Sequence, residues 1–353
     1  MELGSSQLNL LEKLCNAVAV SGDEGEVRAI VLEEVRPHAE EVRVDALGNV
    51  LVTRPGNGKD RLKVMLAAHM DEVGFMLVAG DGEGLFRFET IGAIDVRQLV
   101  GKAVCAGREH IPGVIGARPV HLTAAEEAQK KIPLEDLRID VGPGGAKVNV
   151  GDRATFATVF RRLGPSILAR ALDDRLGVAA LIELVKHAPP NVDLLAAFTV
   201  QEEVGLRGAM TSAYQINPDV AVALDVSHAD QPNASEINAV PLNEGMGIAM
   251  GPNIHPLVHQ KLAEVAKANE IPFKVTAYAG ATGTDAWAIQ VVREGIPTGL
   301  IDIPLRYMHT SVETANIKDI DRAGRWLAEA IARLSDTTLQ EFAFDTPSAK
   351  EAK

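Results

Sequence analysis

The chain opens with two helix-period patterns. After Ser6, read as a cap, Leu8, Leu11, Leu14 and Val18 recur at three- and four-residue spacing. From about Glu24, Val27, Ile30, Val31 and Val35 do the same. Two short strands are expected to meet around Gly48-Asn49, and a third run, Val64 to Ala68, is apolar throughout. From Gly164 onward strand and helix patterns alternate: helix Leu176 to Val185, strand Leu194 to Val200, a helix near Met210, strand Val220 to Leu224 and helix Val258 to Ala268. A strand near Phe273 to Thr276, a helix around Trp287, strand Thr298 to Ile303 and a long helix Ile317 to Leu334 complete the series. Such alternation predicts an α/β fold of three layers, α/β/α, around a mainly parallel sheet.

Residues 74–164 break this rhythm. They are rich in Gly and Val, with short runs such as Leu99 to Val104, Gly113 to Ile115 and Ala154 to Phe160 between turn residues. That composition predicts a small β-rich inserted domain. Residues 1–73 and 165–344 then form one domain, and 345–353, nearly devoid of apolar side chains, a disordered tail.

The chemistry gathers where strands end. His69-Met70-Asp71-Glu72 closes the run Val64 to Ala68, and in extended chain His69 and Asp71 project to one side, where a carboxylate can orient an imidazole toward a metal. Glu202-Glu203 follow Val200, Asp225 follows Leu224, His309 follows the strand ending at Ile303, and Asp173 opens a helix. Alone, Asp173 reads as a helix cap, each acid as a loop residue and His309 as a surface histidine. Together, two imidazoles and several carboxylates at the carboxyl edge of one α/β sheet supply the ligands of a two-metal hydrolase with one carboxylate to spare.

Bulk properties narrow the class. With 353 residues, 46% hydrophobic and 24% charged, the chain can bury a sizeable core, and its net charge of −13 argues against nucleic-acid or anionic-membrane partners. Two cysteines, Cys15 and Cys105, are too few for a disulfide framework or a thiolate zinc site, and no signal-like or membrane-spanning stretch is present, so a cytoplasmic location is expected. Gly142-Pro143-Gly144-Gly145 and Gly56-Asn57-Gly58-Lys59 lack the order of a phosphate loop and read as turns. His255 and His259, one helical turn apart, lack the Glu of a zincin motif; His121 receives no role and His228 reads as a neighbour of Asp225 rather than a ligand.

Five ordered motifs, Ala68-His69-Met70-Asp71-Glu72-Val73-Gly74, Ala171-Leu172-Asp173-Asp174-Arg175, Gln201-Glu202-Glu203-Val204-Gly205, Ala223-Leu224-Asp225-Val226-Ser227-His228 and Tyr307-Met308-His309, resemble the glutamyl and deblocking aminopeptidases. That family of dinuclear metallopeptidases includes the tetrahedral (TET) enzymes, and the likeness spans nearly the whole chain. The resemblance implies Asp173 bridging two divalent metals, zinc or cobalt with manganese as an alternative, His69 and Asp225 completing one site and Glu203 and His309 the other. It further implies Asp71 orienting His69, Glu202 as general base, a cis peptide after the bridging aspartate, and an insert that pairs subunits into dimers and dodecamers. From their place in the sequence, Asp285 beside a Gly-rich turn and Arg306 are candidates for the substrate pocket, with capping and surface ion pairing as equal contenders for each. The implied reaction is removal of the N-terminal residue from short unfolded peptides by a water bridging the two metals.

Three rivals are weighed. A glycoside hydrolase would want aromatic faces for sugar stacking, and the chain is 4% aromatic with two tryptophans. A peptide-binding protein without turnover would be expected to lose a ligand or the base. An N-acyl amidohydrolase on the same bimetallic site is the alternative that sequence leaves open.

Overall fold

The computed structural model describes residues 4–57, 61–124, 130–143, 147–187, 191–232, 239–335 and 338–342. The tail at 345–353 lies outside them, as do parts of both glycine-rich turns. Helices α1 (Ser5–Asn16) and α2 (Gly25–Val35) bury Leu10, Leu11 and Leu14, and Val27, Ile30, Val31 and Val35, on the faces their spacing predicts. Ser6 does not cap: it lies within α1, Gly4 holds the cap position, and the Ser6 hydroxyl bonds the Gln7 side chain. That helix end is exposed, so water can serve its free N–H groups.

Strands β1 (Glu41–Val44) and β2 (Val50–Arg54) form an antiparallel hairpin. In its turn the Asp45 carboxylate accepts the N–H groups of Leu47, Gly48 and Asn49, and Gly48 takes φ +104°, a conformation costly for any side chain. After β3 (Lys63–His69) the chain leaves this sheet. Strands β4 (Gly74–Gly82), β5 (Leu85–Ile91), β6 (Ala103–Ala106), β7 (Ile111–Gly116), β8 (Arg138–Asp140) and β9 (Arg153–Phe156) close into a barrel in the order β4-β5-β8-β7-β6-β9. Phe75 fills its interior, edge-on to Phe88 and Phe156 at 5.2 and 5.3 Å between ring centroids.

The chain re-enters the first sheet at β10 (Arg161–Leu163) and β11 (Ser166–Ala169), followed by α3 (Leu172–Lys186), β12 (Asp193–Thr199), α4 (Arg207–Ile216) and β13 (Val220–His228). Then come β14 (Met246–Met250), α5 (Pro256–Ala268), β15 (Phe273–Ala277), α6 (Asp285–Ile289), β16 (Thr298–Arg306), β17 (Glu313–Asn316), α7 (Ile317–Ala332) and α8 (Thr338–Glu341). The sheet runs β1-β2-β12-β3-β13-β16-β17-β11-β10, with β14 beside β16 and β15 beyond it. It is mixed rather than mainly parallel. Its centre β12-β3-β13-β16 is parallel, as is the pair β14-β15, whereas β1-β2-β12 and β16-β17-β11-β10 pair antiparallel and β14 joins β16 antiparallel. Residues 161–163, placed by sequence in the insert, belong to this sheet, paired with β11.

Alternation along β3 divides the packing. Val64, Leu66 and Ala68 join a cluster with Leu14, Val31, Leu181 and Trp326, while Met65 and Ala67 face Ala209, Ala213, Ala288 and Ile289. Helix α7 is anchored by Trp326, fully buried and donating from Nε1 to the Leu262 carbonyl at 2.9 Å. Burial of a large apolar side chain of this kind stabilises by about 1.5–3 kcal/mol.

Two strands run further than their sequence patterns. β13 extends to His228 and β16 to Arg306 because they pair with each other over Ala221–His228, although β13 leaves β3 at Ala223. Asp225 therefore lies inside a ladder yet beyond its pairing with β3, beside the place where His69 ends that strand.

Candidate metal centre

His69 closes β3, Asp173 lies at the entry to α3, Glu202 and Glu203 follow β12, Asp225 sits in β13 and His309 in the turn between β16 and β17. The structure brings these groups together. His69 Nε2 is 3.1 Å from Asp173 Oδ1 and 4.0 Å from Asp225 Oδ1. His309 Nε2 is 3.3 Å from both Asp173 Oδ2 and Glu203 Oε2. Among the described residues, His69, Asp173 and Asp225 form one set of converging ligand atoms and Asp173, Glu203 and His309 a second, each within 4.8 Å. Asp173 is common to both and turns one oxygen to each imidazole. The Asp173-Asp174 peptide is cis, and regular helix begins only after it.

Each imidazole is oriented from behind. His309 Nδ1 lies 2.9 Å from the Ala93 carbonyl, which leaves Nε2 free to face the carboxylates. His69 Nδ1 lies 3.1 Å from the Asp71 main-chain carbonyl and 3.6 Å from its carboxylate. The orienting partner of His69 is therefore the Asp71 backbone more than its side chain. The carboxylate itself accepts the Ser21 hydroxyl at 2.6 Å and the N–H groups of Glu202 and Glu203 at 3.0 and 3.2 Å. Asp174 in turn accepts the His69 and Gly177 N–H groups, and a Cβ at Gly177 would come within 2.4 Å of its carboxylate.

The electrostatics fit a cation-binding donor set. Burial pushes the Asp225 and Glu202 carboxyls well above their ordinary range, with neighbouring carboxylates adding to the rise and His69 opposing it. Burial also raises Glu203, against the His309 hydrogen bond. Burial would raise Asp173 too, but its bonds from His309 and His69 hold it below the usual carboxylate value. Conversely His309, which burial would lower, is pushed up to about 12 by Asp173 and Glu203. Among the described residues no Lys or Arg pairs with these acids, so the imidazoles are their nearest counter-charges. Buried imidazole and carboxylate oxygen without a basic partner is the chemistry of a site for divalent metal.

Beside His309 opens a cavity of about 480 Å³ lined in part by Asp95, Gln98, His228 and Tyr307. His228 is thus exposed at the cavity wall and outside both ligand sets. Asp285 is buried at the start of α6, its Oδ2 accepting from Thr199 at 2.6 Å, and burial pushes its carboxyl up to about 6. Arg306 is half-buried and its guanidinium bonds the carboxylate and carbonyl of Asp230, the surface ion pair that sequence also allowed. His121 lies in a short turn of the barrel connection, and His259 bonds the Ala249 carbonyl. Sequence reasoning missed Ser21 and Glu313, two buried side chains that hold a carboxylate or main-chain N–H groups of the centre.

The profile of the M42 glutamyl aminopeptidases matches residues 48–325. This chain belongs to that family. It is accordingly a metal-dependent aminopeptidase, a hydrolase using divalent metal. A putative aminopeptidase of Acetivibrio thermocellus is 37% identical over 332 residues, covering 92% of this chain and 98% of the relative. The crystal structure of a TET aminopeptidase from a marine sediment archaeon of the Thaumarchaeota superposes with a TM-score of 0.90 at 32% identity, covering 96% of this chain and 99% of that one. The TET1 peptidase of Pyrococcus horikoshii, whose structure assembles into a tetrahedron or a large octahedral shell, gives 0.81 at 31% identity, covering 93% and 100%. Among the described residues no helix of this M42 aminopeptidase is long and apolar enough to cross a membrane.

Proposed function

We propose that His69, Asp173 and Asp225 hold one divalent cation, that Asp173, Glu203 and His309 hold the second, and that Glu202 is the general base for removal of N-terminal residues from short peptides. The observation that carries this reading is the Asp173 carboxylate, whose two oxygens face His69 and His309 separately. When bound, two divalent cations supply Lewis-acid polarisation of the scissile carbonyl and lower the pKa of the attacking water. Imidazole and carboxylate donors suit zinc or cobalt, with manganese as an alternative. Glu202 stands outside both ligand sets and is buried, so its raised carboxyl pKa suits it to take a proton from water and return it to the leaving amine. Asp71 sets the position of that carboxyl through the Glu202 N–H. Asp285, beside the centre, is the remaining candidate for substrate contact.

The organisation belongs to the same reading. The large sheet and the helices on its two faces make a three-layer α/β/α catalytic domain of residues 1–73 and 161–344, and the barrel is an inserted dimerisation domain, with residues 157–160 as its return to the sheet. The assemblies of the Pyrococcus horikoshii relative support self-association here, dimers building a dodecamer that admits short unfolded peptides, in the cytoplasm.

The deciding experiment is amine release from a panel of unblocked aminoacyl-p-nitroanilides and their N-acetylated counterparts, before and after chelation and restoration with zinc or cobalt. Metal-dependent cleavage confined to free amino termini is expected. Cleavage of the acetylated set would instead indicate an acyl-removing amidohydrolase, and silence with metals bound would end the reading.

A further inference from the structure

The turn between β16 and β17 carries His309, and its return strand begins with Glu313. The Glu313 side chain is buried, although no Lys or Arg pairs with it among the described residues. Its oxygens divide their work: Oε1 accepts the His309 N–H at 2.8 Å and Oε2 accepts the Asp173 N–H at 3.2 Å. One carboxylate thus spans two chain segments 136 residues apart and grips, by their backbones, the two ligands that share the second cation.

The topology explains how it gets there. β17 pairs with β11 so that Glu313 stands opposite Ala169, and β11 runs directly into Ala171 and Asp173. Both gripped segments need outside restraint. His309 takes φ +58° and Tyr307 +59°, and Ala171, two residues before Asp173, takes +55°; each is a left-handed conformation unusual for a residue with a side chain. Neither N–H belongs to a strand ladder or to regular helix. A buried carboxylate satisfied by two main-chain donors is costly for stability compared with apolar packing, so stability alone does not account for it.

We propose that Glu313 is a positioning residue of the metal centre, fixing the separation of Asp173 and His309 through their main-chain N–H groups. This rests on the ligand roles assigned above, which metal stoichiometry of the wild-type chain and of a His309→Ala variant tests separately.

Glu313→Gln is the direct test, because an amide can accept through one atom only and must turn an NH₂ toward the other N–H. Calorimetric titration of the metal-free proteins with zinc is expected to show affinity roughly 10- to 100-fold weaker in the variant. Thr314→Ala, in the same strand, should leave affinity unchanged. At saturating metal the KM for a dipeptide substrate should stay within about twofold while kcat falls. Wild-type zinc affinity in Glu313→Gln, or equal weakening in Thr314→Ala, would overturn the proposal. Amide hydrogen exchange of the wild-type holoenzyme covers the case in which the variant does not fold. The Asp173 and His309 amides should both be protected, and exchange of either at the rate of exposed loop amides would overturn it equally.

Discussion

The Asp71 carboxylate accepts the main-chain N–H of Glu202 at 3.0 Å, so the residue two places after a candidate metal-binding histidine fixes where the candidate base begins. The same carboxylate holds the Glu203 N–H and the Ser21 hydroxyl. Asp71→Ala leaves these donors buried without acceptors, and the turn carrying both glutamates loses its anchor. A fall in kcat/KM of roughly 10- to 100-fold is expected, with the fold retained by circular dichroism. Full activity in this variant would mean that the turn holds itself.

Glu202 and Glu203 are adjacent yet differently placed, one outside both ligand sets and one within the second. Glu202→Gln should keep the metal content of the wild type while kcat falls by roughly 10²- to 10⁴-fold. Metal analysis by mass spectrometry beside steady-state rates decides it. A variant that loses metal and keeps the residual rate would exchange the roles of the two glutamates.

Glu72 has no place in the chemistry but a large one in the architecture. Its buried carboxylate accepts Arg170 at 2.8 Å, Arg175 at 3.4 Å, the Ala19 N–H at 3.0 Å and the hydroxyl of Thr155 in barrel strand β9 at 2.9 Å. Glu72→Gln leaves two buried guanidinium groups without their counter-charge. Urea unfolding should show a loss of about 3–5 kcal/mol. A loss below about 1 kcal/mol would mean that water compensates the arginines.

Asp302 gives a dependence of stability on pH. Burial is the main cause, against the bond donated by Thr276, and it pushes the carboxyl from 3.8 up to about 7. Below pH 3.8 folded and unfolded chains are both protonated at this site. Between there and about 7 only the folded chain keeps the proton, so stability falls as pH rises and the loss is complete above about 7. Asp302→Asn removes that slope. Relative to the wild type, the variant should gain on the order of a few kcal/mol between pH 4 and pH 8 in chemical denaturation. Parallel curves for the two proteins would show that Asp302 titrates normally.

What could be read from the sequence was what long, repeated patterns encode. His69, Glu202 and Glu203 end apolar runs that are indeed the central strands, and the heptad-like faces of α1, α2 and α7 are buried as their spacing requires. Short elements escaped. β10 spans three exposed residues, too few to display a period, and β17, Glu313–Asn316, is polar at three of its four positions, its carboxylate bonding the main chain of Asp173 and His309 rather than packing in the core. Asp71 could be singled out by its spacing from His69, but not its grip on Glu202, which depends on a fold that brings together residues 131 apart. For Arg306 a pocket role and a surface ion pair stand level in the sequence, because Asp230, its partner, gives no sign in the linear chain.

The candidate ligand groups begin at His69 and are completed only by His309, with the barrel and most of the sheet between them. During synthesis, a ribosome-bound chain lacking its last strand pair and α7 holds at most one of the two ligand sets, and lacks the carboxylate of Glu313 beneath it. Sequence-distant contacts of this kind form late in folding. With the ligand roles proposed above, a peptide-cutting centre scattered along the chain is withheld from half-made copies, and fragments that end before residue 309 are expected to be inert toward the cell's other nascent peptides.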